Sequence, residues 1–148
     1  MPEITSPFSL KDCFTALWHI TESLEELKLL WGEDTLPLRK ATNTKYAQFL
    51  SSRILLQRHL EVDNVLYNDD GKPEIAGLKS VSISHSGEFV LIASSEHYEI
   101  GVDIQTYPRY ALKKALHFYL STKEQEILTD EIDLKKLHVY WSVKEAVF

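Results

Sequence analysis

The stretch KSVSISHSGEFVLIASSEHYEIGVDI, residues 79–104, decides which fold the sequence predicts. It contains three short runs with the pattern of strands, at about 79–85, 89–94 and 98–104, separated by HSGE and SSEHY. Both separators are short enough to be hairpin turns, so we expect a three-stranded meander. The first and third strands of a meander run in the same direction, and their C-terminal ends therefore lie at the same edge of the sheet.

Two polar residues come to that shared edge, His85 from the first strand and Asp103 from the third. Asp103 lies in EIGVDIQ (99–105), where it shares a strand face with Gly101 and Gln105. A buried carboxylate is costly unless something pairs with it. Asp103 and Gln105 lie about 7 Å apart at ordinary strand rise, and their hard oxygen atoms suit Mg²⁺ beside a phosphorylated ligand. The alternative is that Asp103 caps a turn or pairs with a lysine.

A hydrolase or a zinc site has little support in the sequence. Ser84 and Ser86 flank His85, but neighbours along a strand point to opposite faces, and no Gly-x-Ser-x-Gly motif is present. The six histidines lack His-Glu-x-x-His spacing, and the one cysteine, Cys13, excludes a disulfide or zinc–cysteine cluster within one chain. Taken alone, His85 is as consistent with a structural histidine as with a functional one.

Length and composition indicate one globular domain. The chain has 148 residues, 44% of them hydrophobic and 26% charged, with a net charge of −6. No apolar run approaches the roughly 20 residues that cross a bilayer, and the N-terminal sequence MPEITSPF lacks a signal-peptide profile. We therefore expect a cytoplasmic protein with neither a membrane nor, given its charge, a nucleic acid as partner.

The basic residues are unevenly placed. Segment 39–60 contains five of them and no acid, which fits either a solvated helix face or an anion site. The five are Arg39, Lys40, Lys45, Arg53 and Arg58.

Outside the meander, the pattern predicts one further strand and four helices. Ser23 with Glu26 and Ser121 with Glu124 have the spacing of capping boxes at the start of two short helices. The expected elements are a strand at 13–20 and helices at about 23–31, 43–60, 121–128 and 137–148. This mixture of helices with a short meander predicts an α+β fold.

Five short motifs follow one another along the chain: GKP (71–73), SISHS (82–86), GVDIQ (101–105), LSTKE (120–124) and WSVKEAV (141–147). Their order and spacing resemble those of the 4'-phosphopantetheinyl transferases of the surfactin-synthetase type. The resemblance spans residues 13–148 and implies the fold of that family, a small antiparallel sheet with packed helices. Members of the family transfer the 4'-phosphopantetheine group of coenzyme A to a serine of an apo acyl or peptidyl carrier protein. The reaction requires Mg²⁺ and releases 3',5'-ADP.

The resemblance also implies a role for each site residue. Asp103, Gln105 and Glu145 would bind Mg²⁺, although many members have an acid where Gln105 stands. Glu145 would accept the serine proton, directly or through a water, with Asp103 and Lys144 beside it in the catalytic site. A larger set would bind coenzyme A: Lys45, Arg53, Gly71, Lys72, Pro73, Ser84 and His85.

The family fold is pseudo-duplicated, so residues 1–104 would form a first, coenzyme A-binding half and residues 105–148 the start of an incomplete second half. We expect this chain by itself to transfer phosphopantetheine poorly. A longer native chain, or a homodimer that covers the exposed edge, would then be needed for full activity. The alternatives are a catalytically impaired fragment that binds coenzyme A or a nucleotide, and a small adaptor domain without a ligand.

Overall fold

The fold is α+β in the computed structural model, which describes residues 3–5, 11–32, 42–62, 65–69, 71–107, 111–127 and 134–147. Within these ranges the strands are β1 (Glu3–Thr5), β2 (Cys13–His19), β3 (Leu66–Tyr67), β4 (Pro73–Glu74), β5 (Ser80–Ser86) and β6 (Phe89–Ser95). The helices are α1 (Leu24–Trp31), α2 (Asn43–Leu60), α3 (Ala111–Tyr119), α4 (Thr122–Ile127) and α5 (Leu134–Val147). No helix in the described ranges is both long and apolar enough to cross a membrane.

Strands β1, β2, β6 and β5, in that order, form an antiparallel sheet. Strands β5 and β6 are the first two strands of the predicted meander, and a two-residue turn joins them where Ser86 pairs with Phe89. The first turn residue, Gly87, has a φ of 57°, a conformation that glycine adopts at little cost. The predicted hairpin is therefore confirmed.

The third predicted strand, 98–104, is wrong as part of the sheet. Strand β2 pairs with β6 along its whole length, from Cys13 opposite Ser95 to His19 opposite Phe89. Both edges of β6 are therefore occupied, and the chain after β6 has no edge of that strand left to pair with. It lies beside β5 instead.

Segment 100–106 is attached to β5 through serine side chains, in an arrangement that we call the serine ladder. The N–H groups of residues 100, 102, 104 and 106 donate to the hydroxyls of Ser80, Ser82, Ser84 and Ser86, at 3.0–3.3 Å. Because both sets of residue numbers increase together, the segment runs in the same direction as β5, as the meander had predicted. Alternation places the four serines on one face of β5, whereas Val81 and Ile83, on the other face, contact the core.

The main core lies between the sheet and α2. Leu50, Ile54 and Leu56, which the pattern predicts as apolar-face residues of this helix, are fully or almost fully buried. Leu55 is buried as well, because α2 packs against α1 in addition to the sheet and so has more than one covered side. The predicted bounds of α2 are confirmed at both ends.

A second, smaller cluster connects α3 with α5. Leu120 and Leu137 are its buried residues, and Leu116, Tyr119 and Tyr140 pack around them. Both capping boxes are confirmed by reciprocal hydrogen bonds, between Ser23 and Glu26 and between Ser121 and Glu124. Helix α5 begins at Leu134, three residues before the predicted start, and the predicted helix ends at Leu128 and Phe148 lie outside the described residues.

Candidate functional site

A cleft of about 510 Å³ separates β5, the segment after β6 and the end of α5, and we call it the Asp103 cleft. Its walls are formed by residues 71–73, 80–84, 99–103 and 145–147. These ranges include six of the residues predicted as site residues: Gly71, Lys72, Pro73, Ser84, Asp103 and Glu145. Its volume is in the range usual for small-molecule sites.

The two carboxylate oxygens of Asp103 have unequal surroundings. Oδ1 accepts hydrogen bonds from the Ser84 hydroxyl at 3.0 Å and from the Gln105 side-chain amide at 3.2 Å. Oδ2 is buried and accepts no hydrogen bond from the described residues. A buried carboxylate oxygen without a donor is costly, so this atom is suited to a cation.

Mg²⁺ fits this donor set. The ion prefers hard oxygen ligands and typically takes one or two carboxylates together with water and substrate phosphates. Asp103 and Glu145, which line the same cleft from different elements, supply two carboxylates. The described residues contain no group of three or more His, Cys, Asp or Glu side chains arranged for a metal. Metal binding by the Gln105 oxygen stays a prediction.

Glu145 is brought to the cleft by a close contact between two backbones. The last turn of α5 lies against Gly101 so closely that a Cβ atom at that position would overlap the Ala146 carbonyl oxygen. Only glycine permits this approach without movement of the backbone. Sequence reasoning missed this role, although the glycine of GVDIQ was a visible signal.

Lys144 points elsewhere. Its ammonium donates to Glu124 Oε2 at 2.9 Å, and Lys144 does not line the Asp103 cleft although the three residues after it do. The hydrogen bonds from Lys144 and from Ser121 hold the pKa of Glu124 down, to about 2. Sequence reasoning found Glu124 only as part of a capping box. The catalytic role of Lys144 stays a prediction.

A second cavity, of about 420 Å³, adjoins the cleft, and we call it the basic pocket. Gly71, Pro73 and Ile83 line both cavities. The basic pocket adds two nitrogen-bearing side chains, Lys45 from α2 and His85 from β5, with Phe49, Ser52 and Tyr67 as its other walls. Lys45 and His85, both predicted as coenzyme A contacts, are thus brought to one cavity. His85 and Asp103 line adjoining cavities rather than one.

Arg53 lies beside the basic pocket rather than on its wall. One guanidinium nitrogen, Nη2, donates to the Tyr67 hydroxyl at 2.7 Å, and the group stacks on the rings of Phe49 and Tyr67. The other, Nη1, is buried without a hydrogen-bond partner among the described residues. Its predicted phosphate contact is untested. Arg39 and Lys40 lie outside the described residues.

A further cavity, of about 450 Å³, lies where β2 begins and β6 ends. Cys13, His59 and His97 are among its lining residues, and none of the predicted site residues is.

Curated proteins with similar sequences carry names that agree with the family resemblance. A protein of Synechocystis sp. named "Putative 4'-phosphopantetheinyl transferase" is 36% identical over 110 residues, which cover 66% of this chain and 44% of that protein. The 4'-phosphopantetheinyl transferase AcpT of Salmonella typhi is 26% identical over 121 residues, or 77% of this chain and 63% of that protein. The protein of the same name from Salmonella typhimurium gives the same values.

The chain spans less than two thirds of the length of each of these relatives. No family model matches it. The names of the relatives support a relationship to the 4'-phosphopantetheinyl transferases and do not distinguish the surfactin-synthetase type from others.

Proposed function

We propose that this chain is part or all of a 4'-phosphopantetheinyl transferase of the surfactin-synthetase type, which modifies a serine of an apo acyl or peptidyl carrier protein. The observation that carries the proposal is that Asp103 and Glu145 line one cleft, next to a pocket lined by Lys45 and His85. Coenzyme A has a pyrophosphate that suits the Asp103 cleft and a 3'-phosphate that suits the basic pocket. The names of the curated relatives support the same reaction.

The proposal gives separate roles to Asp103 and Glu145 in the reaction. Asp103 presents Oδ2 to the metal while Ser84 and Gln105 hold Oδ1. When bound, Mg²⁺ supplies Lewis-acid polarisation of the pyrophosphate. Glu145 would be the second carboxylate that holds the metal. It also accepts, directly or through a water, the proton of the carrier serine, whose oxygen forms a bond to the phosphorus next to pantetheine. The bond from that phosphorus to the bridging oxygen breaks, and 3',5'-ADP leaves.

Coenzyme A is held by the wall that the two cavities share. Lys72, with Gly71 and Pro73, lies in the turn between them, and Lys45 and His85 face the basic pocket. Charged hydrogen bonds from these side chains suit a phosphate. Arg53 contributes through Tyr67, which it holds in the wall of the pocket.

We also propose that the division at residue 104 and a covering second half, or second copy, apply to this chain. Three valines on one side of α5 support this part of the proposal, since Val139, Val143 and Val147 are 63%, 59% and 79% exposed. Val147 also lines the Asp103 cleft, so a covering segment at this stripe would border the site.

The test is transfer to purified apo carrier proteins of the acyl and the peptidyl kind, with coenzyme A and Mg²⁺. Mass spectrometry should show a gain of one phosphopantetheine group on the carrier serine. Binding of coenzyme A without transfer would support the alternative of a catalytically impaired fragment. A melting temperature unchanged by coenzyme A and Mg²⁺ would favour an adaptor domain and contradict the proposal.

A further inference from the structure

The last turn of α5 carries Glu145, and its position depends on few contacts. The apolar contacts of α5 with α3 involve Leu137, Tyr140 and Trp141, about one turn or more before Glu145. Val143 and Val147 are exposed, so their packing contributes little to the position of this turn. Within the described ranges, the salt bridge from Lys144 to Glu124 is the polar contact that ties this turn to another helix.

This salt bridge is better placed than an ordinary surface pair. The side chains of Lys144 and Glu124 are 32% and 25% exposed, and one carboxylate oxygen accepts both the Lys144 ammonium and the N–H of Ser121. Glu124 is itself held by the capping box at the start of α4. The lysine is therefore anchored to a carboxylate that has little freedom to move.

The opposite side of the same turn is fixed by Gly101, whose missing Cβ leaves room for the Ala146 carbonyl group. The turn is thus held between α4 on one side and the segment that carries Asp103 on the other. From this geometry we infer that Glu124 is a positioning residue, which acts through Lys144 to set the place of Glu145 relative to Asp103. The inference rests on the proposed function, because Glu145 matters in it as a ligand of the metal.

Three substitutions in the Lys144–Glu124 salt bridge separate positioning from general stability. Glu124→Gln removes the charge but keeps an oxygen for the Ser121 N–H, so the start of α4 should survive. Lys144→Met removes the other partner, and Lys144→Arg keeps a charged group that can still reach Glu124. The matched control is Glu25→Gln, because Glu25 pairs with Lys28 at 2.8 Å on the surface of α1, away from the cleft.

The readout is the affinity for coenzyme A, measured by calorimetry once with Mg²⁺ and once with EDTA, in the full chain. Mg²⁺ is expected to increase the affinity for coenzyme A, and we call this increase the Mg²⁺ gain. Glu124→Gln and Lys144→Met should each reduce the Mg²⁺ gain by about 10- to 100-fold, the usual effect of losing a group that orients a metal ligand. Affinity in EDTA should stay within about twofold of the unsubstituted chain. Lys144→Arg should keep most of the gain, and the double variant should be no worse than either single one.

Other outcomes contradict the inference in distinct ways. If Lys144 contacts phosphate directly, Lys144→Met will weaken binding in EDTA as well, while Glu124→Gln will not weaken it. If the unsubstituted chain shows the Mg²⁺ gain and Glu124→Gln behaves like Glu25→Gln, the inference fails and the proposed function stands. If the unsubstituted chain binds coenzyme A equally with Mg²⁺ and with EDTA, the metal assignment of the proposed function fails and takes the inference with it.

Discussion

The two oxygens of Asp103 show how a single residue prepares a site. Oδ1 is held by Ser84 and Gln105, which fixes the orientation of the carboxylate, and Oδ2 is buried without a donor from the described residues. The first oxygen is therefore structural, and the second has the energetic reason to take a cation. The sequence had left open a partner such as a lysine, and the partners of Oδ1 are a hydroxyl and an amide.

Replacement of this carboxylate should abolish the metal-dependent part of coenzyme A binding. Asp103→Ala removes the oxygen that has no other partner, so we expect calorimetry to give equal affinities in Mg²⁺ and in EDTA. Glu96→Ala is the control, since Glu96 is an exposed acid that lines the cavity at the end of β6 and does not line the Asp103 cleft. A Mg²⁺ gain that persists in Asp103→Ala would remove Asp103 from the metal site.

A second residue-scale prediction concerns Gln105, whose amide donates to Asp103. Gln105→Glu replaces this donor with a like charge, so the melting temperature in EDTA should fall because of repulsion between the two carboxylates. Mg²⁺ should reverse the loss and bind more tightly than in the unsubstituted chain. If Gln105→Glu leaves both the melting temperature and the Mg²⁺ affinity unchanged, the side chain at 105 is outside the metal shell.

Among the elements, the serine ladder replaces a strand pairing. Alternate hydroxyls of β5 take the place of backbone carbonyls as acceptors for segment 100–106. Such an attachment depends on individual side chains. It also aligns Ser84 with Asp103, so the register of the ladder sets the position of the carboxylate.

The ladder predicts that two of its serines, Ser82 and Ser84, differ in their effect on the metal site. Ser82→Ala and Ser84→Ala each leave a part-buried N–H without its acceptor, which should cost about 1–3 kcal/mol in unfolding experiments. Only Ser84 also donates to Asp103. We therefore expect Ser84→Ala to weaken Mg²⁺-dependent binding of coenzyme A more than Ser82→Ala, and equal binding by the two variants would contradict this role.

The salt bridge between Glu124 of α4 and Lys144 of α5 should affect how the stability of the chain depends on pH. The pKa of Glu124 is lowered from 4.5 to about 2 by its hydrogen bonds to Lys144 and Ser121. A lowered pKa stabilises the folded state above the unfolded value, and the contribution is lost as the pH falls from 4.5 towards 2. The stability difference between the unsubstituted chain and Glu124→Gln should therefore be constant at neutral pH and shrink across that interval in urea titrations.

At the scale of the whole molecule, the positions of the charged residues matter more than the net charge. The chain carries a net charge of −6, yet Lys45, His85 and Lys72 line one wall of two adjoining cavities. In the proposed function, these side chains would bind the phosphates of coenzyme A although the chain is acidic overall. Lys72 lines the Asp103 cleft together with the two carboxylates, whereas Lys45 and His85 line the adjoining basic pocket.

Charge placement predicts selectivity for the 3'-phosphate of coenzyme A. A charged hydrogen bond to phosphate contributes roughly 1.5–3 kcal/mol, so dephospho-coenzyme A should bind at least about tenfold more weakly. Lys45→Met should narrow the difference between the two compounds, and Lys28→Met, on α1, should leave it unchanged. Equal calorimetric affinities for both compounds would contradict this prediction and favour the alternative that the basic residues of α2 form a solvated helix face.

What the sequence determined by itself is local. The capping boxes, the bounds of α2 and the β5–β6 hairpin depend on residues a few positions apart, whose hydrogen bonds and spacing are the same in any context. The motifs also identified Asp103 and Glu145 together, and both line one cleft.

Only the tertiary structure decided the contacts between distant parts of the chain. Strand β2 takes the free edge of β6 and so excludes segment 98–104 from the sheet, a competition that no local pattern records. Gly101 against Ala146 and Lys144 against Glu124 join residues that are 45 and 20 positions apart. Their pairing depends on how α5 packs against the rest of the molecule. The physical reason is that such contacts follow from the packing of whole elements, whereas the sequence specifies each element separately.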